Sequence, residues 1–294
     1  MSILFLGLLI LDQDVIKIPQ NASLASISRI VKFPNGLALL DTVDPKLVTI
    51  DLNGNVLNSF MNKGQGPGEW QKPFELRYFD NFFYVTDLLK RRVFVFSEDL
   101  KVMNELVVGA LCRDVLVTND AYFFVYWDSK NNSMIHKYSL MMEKITSFGT
   151  SLQNQNAMGF QSGKLLIDSG KIYFIHNFIA QIEVYSLDGE LIKRITIPGF
   201  NSEEFLTFSG MQPSFQFAVV DFFKNSKTLF LKLGDHKAWN GKLYSFRPVI
   251  ESFGAPATCP FETVSDPNGF GLFAINENQA GDIISLGEIT MEEK

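Results

Sequence analysis

Leu37-Ala38-Leu39-Leu40-Asp41-Thr42-Val43-Asp44-Pro45-Lys46-Leu47-Val48-Thr49-Ile50-Asp51 is a pair of short apolar runs, broken at Asp41–Pro45 and closed by an acid. Phe82-Phe83-Tyr84-Val85-Thr86-Asp87-Leu88-Leu89-Lys90-Arg91-Arg92-Val93-Phe94-Val95-Phe96-Ser97 repeats the pattern, and Ile172-Tyr173-Phe174-Ile175-His176-Asn177 to Val184-Tyr185-Ser186 repeats it again. Weaker copies begin at Tyr122, Thr228 and Gly271. The runs are four to six residues long and rich in β-branched and aromatic side chains, which suits strands rather than helices.

The second run of each copy ends at Asp51, Ser97, Ser139, Ser186 or Ser245. Turn sequences follow, most plainly Asn53-Gly54 and Asp188-Gly189, the strongest short-range hairpin signals. Another strand comes next, as in Val56–Phe60 and Leu191–Ile195. Four short antiparallel strands recurring about every 40–50 residues are the signature of propeller blades. Residues 14–290 hold room for six such units. The last is one strand short, and the strand-like Val15-Ile16-Lys17-Ile18-Pro19 has no blade of its own. The expectation is an all-β, six-bladed propeller of four-stranded antiparallel blades, its ring closed by that N-terminal strand in the last blade. A β-sandwich pair or a solenoid would also space strands regularly, but neither accounts for the leftover strand.

Between the first two copies lies Gly64-Gln65-Gly66-Pro67-Gly68-Glu69-Trp70. Three glycines and a proline in seven residues cannot continue a strand, so the stretch is a shaped loop from the outer strand of one blade to the inner strand of the next. With Asp41 and Asp87 between apolar runs, this loop resembles the inter-blade Gly-x-Gly-Pro-Gly-Glu-aromatic stretch of the NHL-like six-bladed propellers. The chain is also similar to bacterial six-bladed propeller proteins, many exported or lipid-anchored. The resemblance implies a fold and a binding face rather than one activity. Related propellers include calcium-dependent lactonases and metal-assisted lyases. The third, fifth and sixth copies depart from the pattern, carrying Trp127, Leu233 and Asn276 near the aspartate position.

The chain has 294 residues, 46% hydrophobic and 20% charged, with a formal net charge of -6. That composition suits a large soluble core and argues against nucleic acid or an anionic membrane surface as partner. Residues 1–11 are an apolar segment too short to span a bilayer, set apart from a single propeller domain at 12–294. The segment looks like a truncated export signal lacking a basic n-region, or else an anchor or a strand of the fold. Export to the periplasm or cell envelope is the expectation. Cys112 and Cys259 read as unpaired buried thiols, and no Cys/His cluster suggests zinc.

In a blade, the second-to-third turns and the outer-to-inner connections share one end of the central channel. That mouth collects the candidate binding residues Asp41, Asp44, Glu69, Asp87, Arg91, Arg92, Trp127, His176, Asn177, Asp235 and Asn276. Asp41 and Asp87 read first as turn residues accepting backbone N–H bonds. Lys90-Arg91-Arg92 is a solvated turn or an anion clamp. Glu69 stabilises its own loop. Trp70 and Trp127 are blade packing by default, as is Trp239. His136, His176 and His236 do not converge on one site, since His136 falls in a third strand. No nucleophile motif is present, and the glycine loop lacks the Lys-Ser/Thr of a phosphate cradle. The function expected is a non-enzymatic scaffold engaging a protein, peptide or glycan at the mouth, with no cofactor and no membrane insertion by the propeller. The alternative is a lactonase-like hydrolase or lyase using calcium at Asp41, Asp87 and His176.

Overall fold

The computed structural model describes residues 21–153 and 159–197 with their side chains, Ala218, Val219 and Leu231 likewise, and elsewhere only the backbone of the strands named below. The chain is all-β and folds as a propeller of four-stranded antiparallel blades. Four blades are complete between Arg29 and Thr196. The first runs Arg29–Phe33, Gly36–Asp41, Lys46–Ile50 and Val56–Phe60, from the inner strand to the outer. The second runs Pro73–Phe79, Phe82–Asp87, Arg92–Ser97 and Val102–Val107. The third runs Asp114–Val117, Ala121–Asp128, Ser133–Ser139 and Lys144–Thr150, and the fourth Gly163–Asp168, Lys171–His176, Gln181–Ser186 and Leu191–Thr196.

Three more antiparallel sheets follow, the first a two-stranded pairing of Leu206–Ser209 with Gln212–Phe215. Phe217–Asn225, Thr228–Asp235, Gly241–Arg247 and Ser252–Phe253 pair in order, and Ala257–Cys259 also pairs with Gly241–Arg247. Thr263–Ser265, Leu272–Asn276 and Asp282–Leu286 form the third, and its fourth member is Gln13–Ile16, with Val15 opposite Ile284. The N-terminal strand thus starts two residues earlier than the sequence suggested, and Lys17–Pro19 lie outside the described residues. Ile3–Phe5 and Leu8–Ile10 pair with each other, and the latter with Ile289–Thr290. The inner strands are neighbours in cyclic order: Arg29–Phe33, Pro73–Phe79, Asp114–Val117, Gly163–Asp168, Phe217–Asn225, Thr263–Ser265, and back to Arg29–Phe33.

Second and third strands are apolar on both faces because each blade packs on two neighbours. One core cluster joins Val31, Ala38, Leu40 and Leu47 to Leu76, Phe83, Val85, Phe94 and Phe96. The next joins Tyr84, Val93 and Val95 to Val115, Phe124 and Tyr126, so alternate residues of one strand face opposite neighbours. A third joins Phe123, Val125 and Ile135 to Leu165, Ile172 and Phe174, and a fourth joins Tyr173, Ile175 and Val184 to Val219 and Leu231. Each Val, Leu, Ile and Phe among them stabilises the fold by about 1.5–3 kcal/mol on burial. Outer strands bury little: the fourth blade's Leu191–Thr196 alternates exposed and half-buried.

The acid or serine closing each third strand has a common task. Asp51, Ser97, Ser139 and Ser186 carbonyls accept from Gly54, Leu100, Met142 and Gly189 N–H at 2.9–3.1 Å, closing a tight turn. The fourth residue of that turn is left-handed in all four blades, with φ of 87° at Gly54, 57° at Leu100, 62° at Met142 and 90° at Gly189. The Asp51 carboxylate and the serine hydroxyls accept further turn N–H groups, including those of Asn55, Lys101, Glu143 and Glu190.

Cys112 is buried and unpaired, and its thiol donates to the Asp114 carbonyl at 3.2 Å. Burial pushes that thiol well above its ordinary range, so it acts as a small apolar group. The Cys259 side chain lies outside the described residues.

Gly36 marks the closest backbone approach in the first blade: a Cβ there would sit 1.9 Å from the Ile50 carbonyl oxygen. Gly36→Ala is expected to lower unfolding stability by about 3 kcal/mol or more in urea titrations. Gly109→Ala, where nothing lies within 4 Å of the added Cβ, should cost only about 1 kcal/mol from its positive φ.

Candidate functional site

Asp41 and Asp87 end the second strands of their blades and are fully buried. Oδ2 of Asp41 accepts from Ala25 N–H at 2.6 Å and Ser26 N–H at 2.9 Å, in the segment leading to the inner strand. Its Oδ1 accepts from Val43 and Asp44 N–H at 2.8 and 3.0 Å, in the turn ahead. Asp87 does the same, binding Gln71 and Lys72 N–H through Oδ2 and Lys90 N–H through Oδ1. Each carboxylate therefore clips an incoming inter-blade connection to the second-to-third turn of the same blade.

The fourth blade makes the clip from an imidazole and an amide. His176 Nδ1 accepts from Phe178 N–H at 3.1 Å, which leaves the proton on Nε2, 3.3 Å from Gln161 Oε1. Gln161 in turn holds both the N–H and the carbonyl of Leu152 at 3.1 and 3.0 Å. Burial pushes His176 down to about 3, so it is neutral. In the third blade Asp128, displaced by a bulge after Val125, binds Lys130 N–H, Asn131 Nδ2 and Lys144 Nζ.

The glycine loop has its own internal support. Glu69 Oε2 accepts from Gly66 N–H at 2.7 Å, and a Cβ on Gly64 would meet that oxygen at 2.0 Å. Lys90 Nζ donates to the Gly66 and Glu69 carbonyls at 2.6 and 2.5 Å. Gly68 N–H donates to Glu105 Oε1 at 2.6 Å, and Arg92 pairs with the other oxygen of Glu105. Burial would raise the Glu105 carboxyl, but Gly68 N–H and Arg92 outweigh it and hold it below the usual range. Trp70 is fully buried, edge-on to Phe60 and Phe96.

Of the basic triplet at the mouth, Lys90 and Arg92 are thus occupied by the loop and by Glu105. Arg91 alone is exposed, with φ 55° and its carbonyl accepting from Val108 and Gly109 N–H. Asp44 is exposed, as are Val43 at 71% and Leu89 at 60%, each two residues past its clip. Trp127 packs partly buried against the core of the third and fourth blades. Asn177 N–H donates to Ser162 O at 2.9 Å, and its carbonyl accepts from Val219 N–H at 2.7 Å. Its buried Oδ1 and the Trp127 Nε1 have no hydrogen-bond partner. Asp235 and Asn276 end their second strands, opposite Phe217 and Asp282 respectively, but their side chains lie outside the described residues, as do His236 and Trp239. His136 stays in the third strand, stacked 3.7 Å from Tyr126 and bonded to Tyr126 O and Ser147 Oγ.

A set of charges on the inner strands escaped the loop-based reading. Arg29 Nε donates to Glu75 Oε1 at 2.8 Å, and Lys164 Nζ stands 3.9 Å from Glu75 Oε2. Arg77 holds Asp114 through Nε and Nη2 at 2.9 and 2.5 Å, and Nη2 also reaches the Leu165 carbonyl. The Phe74 ring has the Arg29 guanidinium 5.5 Å and the Arg113 guanidinium 5.3 Å from its centroid. Burial alone would raise Glu75, but Arg29, Lys164 and Arg77 outweigh it and hold the carboxyl below the usual range. Burial pushes Asp114 up, yet its two oxygens take four donors between Arg77, Val115 N–H and Leu165 N–H. No oxygen is left to carry a proton without losing a bond, so Asp114 stays a carboxylate. These residues occupy repeat positions. Arg29 lies opposite Leu40 and Lys164 opposite Ile175, each one residue before the clip, and Glu75 N–H bonds Thr86, one residue before Asp87. Aligning the copies on the clip residue is the signal that would have found them.

Solved structures share this fold at low identity. A Bacteroides fragilis protein classed as exported matches over 96% of this chain and 95% of its own, with 11% identity and a TM-score of 0.70. A member of the DUF4221 family from Bacteroides vulgatus matches over 97% and 98%, with 8% identity and a TM-score of 0.67. Virginiamycin B lyase from Staphylococcus aureus, a catalytically inactive variant solved with quinupristin, matches over 96% and 99%, with 10% identity and a TM-score of 0.57. At these identities the likeness is one of fold. No family model and no curated protein matches the sequence.

Asp87→Ala strands three backbone N–H groups and is expected to lower stability by at least about 2 kcal/mol in urea titrations. The histidines set a pH window. Burial lowers His176 to about 3 and His136 to about 4, from about 6.5 in the unfolded chain. The unfolded state therefore binds more protons below about pH 6.5, and stability falls as pH drops from there toward 4. Unfolding midpoints measured between pH 7 and 4.5 should show this decline, and His176→Asn should flatten it.

Proposed function

We propose that this protein is a non-enzymatic binding propeller that engages a protein, peptide or glycan at the mouth formed by the second-to-third turns and inter-blade connections. The carrying observation is the pair of clipped turns that hold Val43 and Leu89 out into solvent at equivalent positions, beside the exposed Asp44 and Arg91. Apolar tips on turns fixed by buried carboxylates can bind without first ordering themselves, which removes a main cost of association.

The architecture we infer is a six-bladed ring of NHL-like type. The sheets built on Phe217–Asn225 and Thr263–Ser265, the cyclic order of inner strands and the pairing of Gln13–Ile16 with Asp282–Leu286 support it. The exported character of the Bacteroides fragilis neighbour supports a place in the periplasm or envelope, and the net charge of -6 argues against nucleic acid as partner. A calcium-assisted lactonase or lyase built on Asp41, Asp87 and His176 has less support. The Asp41 oxygens take four backbone N–H groups, those of Asp87 three, and both His176 nitrogens have partners.

An array of peptides and oligosaccharides tests the reading. Val43→Asp, Leu89→Asp and Arg91→Glu should each weaken capture about tenfold while leaving the melting temperature unchanged. Capture indifferent to all three would overturn the mouth as the binding face, and calcium-dependent lactone hydrolysis by the wild-type protein would replace it with the enzyme reading.

A further inference from the structure

At the inner strands, among the described residues, Arg29 and Lys164 pair with Glu75 and Arg77 pairs with Asp114, while the Arg113 guanidinium stands against the Phe74 ring. Both acids are committed. Asp114 is saturated by Arg77 and two backbone N–H groups, and Glu75 is taken by Arg29 and Lys164.

Arg113 is the cation left over. It is half-buried, it directly precedes the inner strand of the third blade, and its guanidinium lies 5.3 Å from the Phe74 centroid. No carboxylate or carbonyl among the described residues hydrogen-bonds that guanidinium. Burial lowers its pKa with nothing opposing. A partly desolvated cation without an anion is costly, and the chain holds it there firmly. Arg113 N–H donates to Val125 O at 2.7 Å, and the next residue is locked to Arg77 and Leu165.

We propose that Arg113, with the Phe74 ring against it, is the subsite for one carboxylate group of the ligand that enters this mouth. This rests on the mouth being the binding face. The planar fork of a guanidinium offers a carboxylate two parallel N–H···O bonds, and a recessed, low-dielectric position strengthens them. One carboxylate rather than several fits the site, because Arg29 and Lys164 already turn toward Glu75. A uronic acid and a peptide C-terminus both present this group.

Calorimetric titration distinguishes the sources and tests the site. The probes are glucuronate against its methyl ester, and an acetylated dipeptide acid against its amide, with wild-type protein and Arg113→Met. At least one acid should bind the wild type about tenfold or more tighter than its uncharged counterpart, and Arg113→Met should abolish that preference. The ligand-free variant should melt no lower than wild type, since an uncompensated cation has been removed. A merely structural arginine would instead lower the melting temperature and leave the preference intact. Equal binding of acids and neutral counterparts, or a preference that survives Arg113→Met, overturns the inference. If array ligands are still captured at the mouth in that event, only the carboxylate subsite falls. Tight acid binding with an empty array would instead overturn the choice of partner class.

Discussion

No blade here can bury its own strands. Phe83 and Val85 face the first blade while Tyr84 faces the third, and the fourth blade is divided in the same way between Phe174 and Tyr173. A sheet apolar on both faces is stable only between two others, so side-by-side packing around an axis follows from the near-continuous apolar runs. The twist of each sheet then sets the blades at an angle to one another and brings the inner strands together. Most polar groups collect at the two ends and on the outer strands, and those that stay inside, such as Glu75, Arg77 and Asp114 on the inner strands, are paired.

That constraint creates a difficulty at every blade junction. The chain must cross from an outer edge to the axis, and the connecting backbone brings buried N–H groups with it. Asp41 and Asp87 resolve this with one carboxylate each, one oxygen facing the incoming connection and the other the turn ahead. His176 with Gln161 performs the same task by a longer route. The turns and connections are thus tied to one another at their buried ends, while Val43, Asp44, Leu89 and Arg91 stay exposed at the tips. The inner strands face a different problem, since neighbouring copies of one repeat position meet at the axis. Like charges there repel, as Glu75 and Asp114 do, and Arg29 beside Glu75 and Arg77 beside Asp114 offset that repulsion. Breaking such a buried pair typically costs about 3–5 kcal/mol, so the pairs bind the blades into one unit even where they add little net stability.

Much of this was legible in the sequence, and for identifiable reasons. The strands announced themselves through apolar runs, and the third-strand turns through Asp51, Ser97, Ser139 and Ser186, whose side chains must reach turn N–H groups nearby in sequence. Reading Asp41 and Asp87 as turn acceptors anticipated half of their role; the other half binds residues about 15 positions upstream, across the blade. Arg91 and Arg92 looked alike in the sequence, but Arg92 is occupied because Glu105 stands on the adjacent outer strand. The inner-strand charges were missed because each lies alone among apolar neighbours. Their partners are a whole blade away, 46 residues for Arg29 and Glu75 and 37 for Arg77 and Asp114, and only the register makes them meet.

The glycine loop shows how far composition alone can mislead about chemistry. A phosphate cradle turns successive N–H groups toward an anion. Here the Gly66 and Glu69 carbonyls converge instead, and the group they hold is the Lys90 ammonium from the next turn of the same mouth. Glu69 fills the space under Gly64 and takes the Gly66 N–H, while Gly68 N–H goes to Glu105. The loop's polarity is therefore that of a cation site whose cation is supplied by the chain itself. Its glycines serve close approach and internal hydrogen bonds, and the cations nearest the loop, Lys90 and Arg92, are already held by its carbonyls and by Glu105.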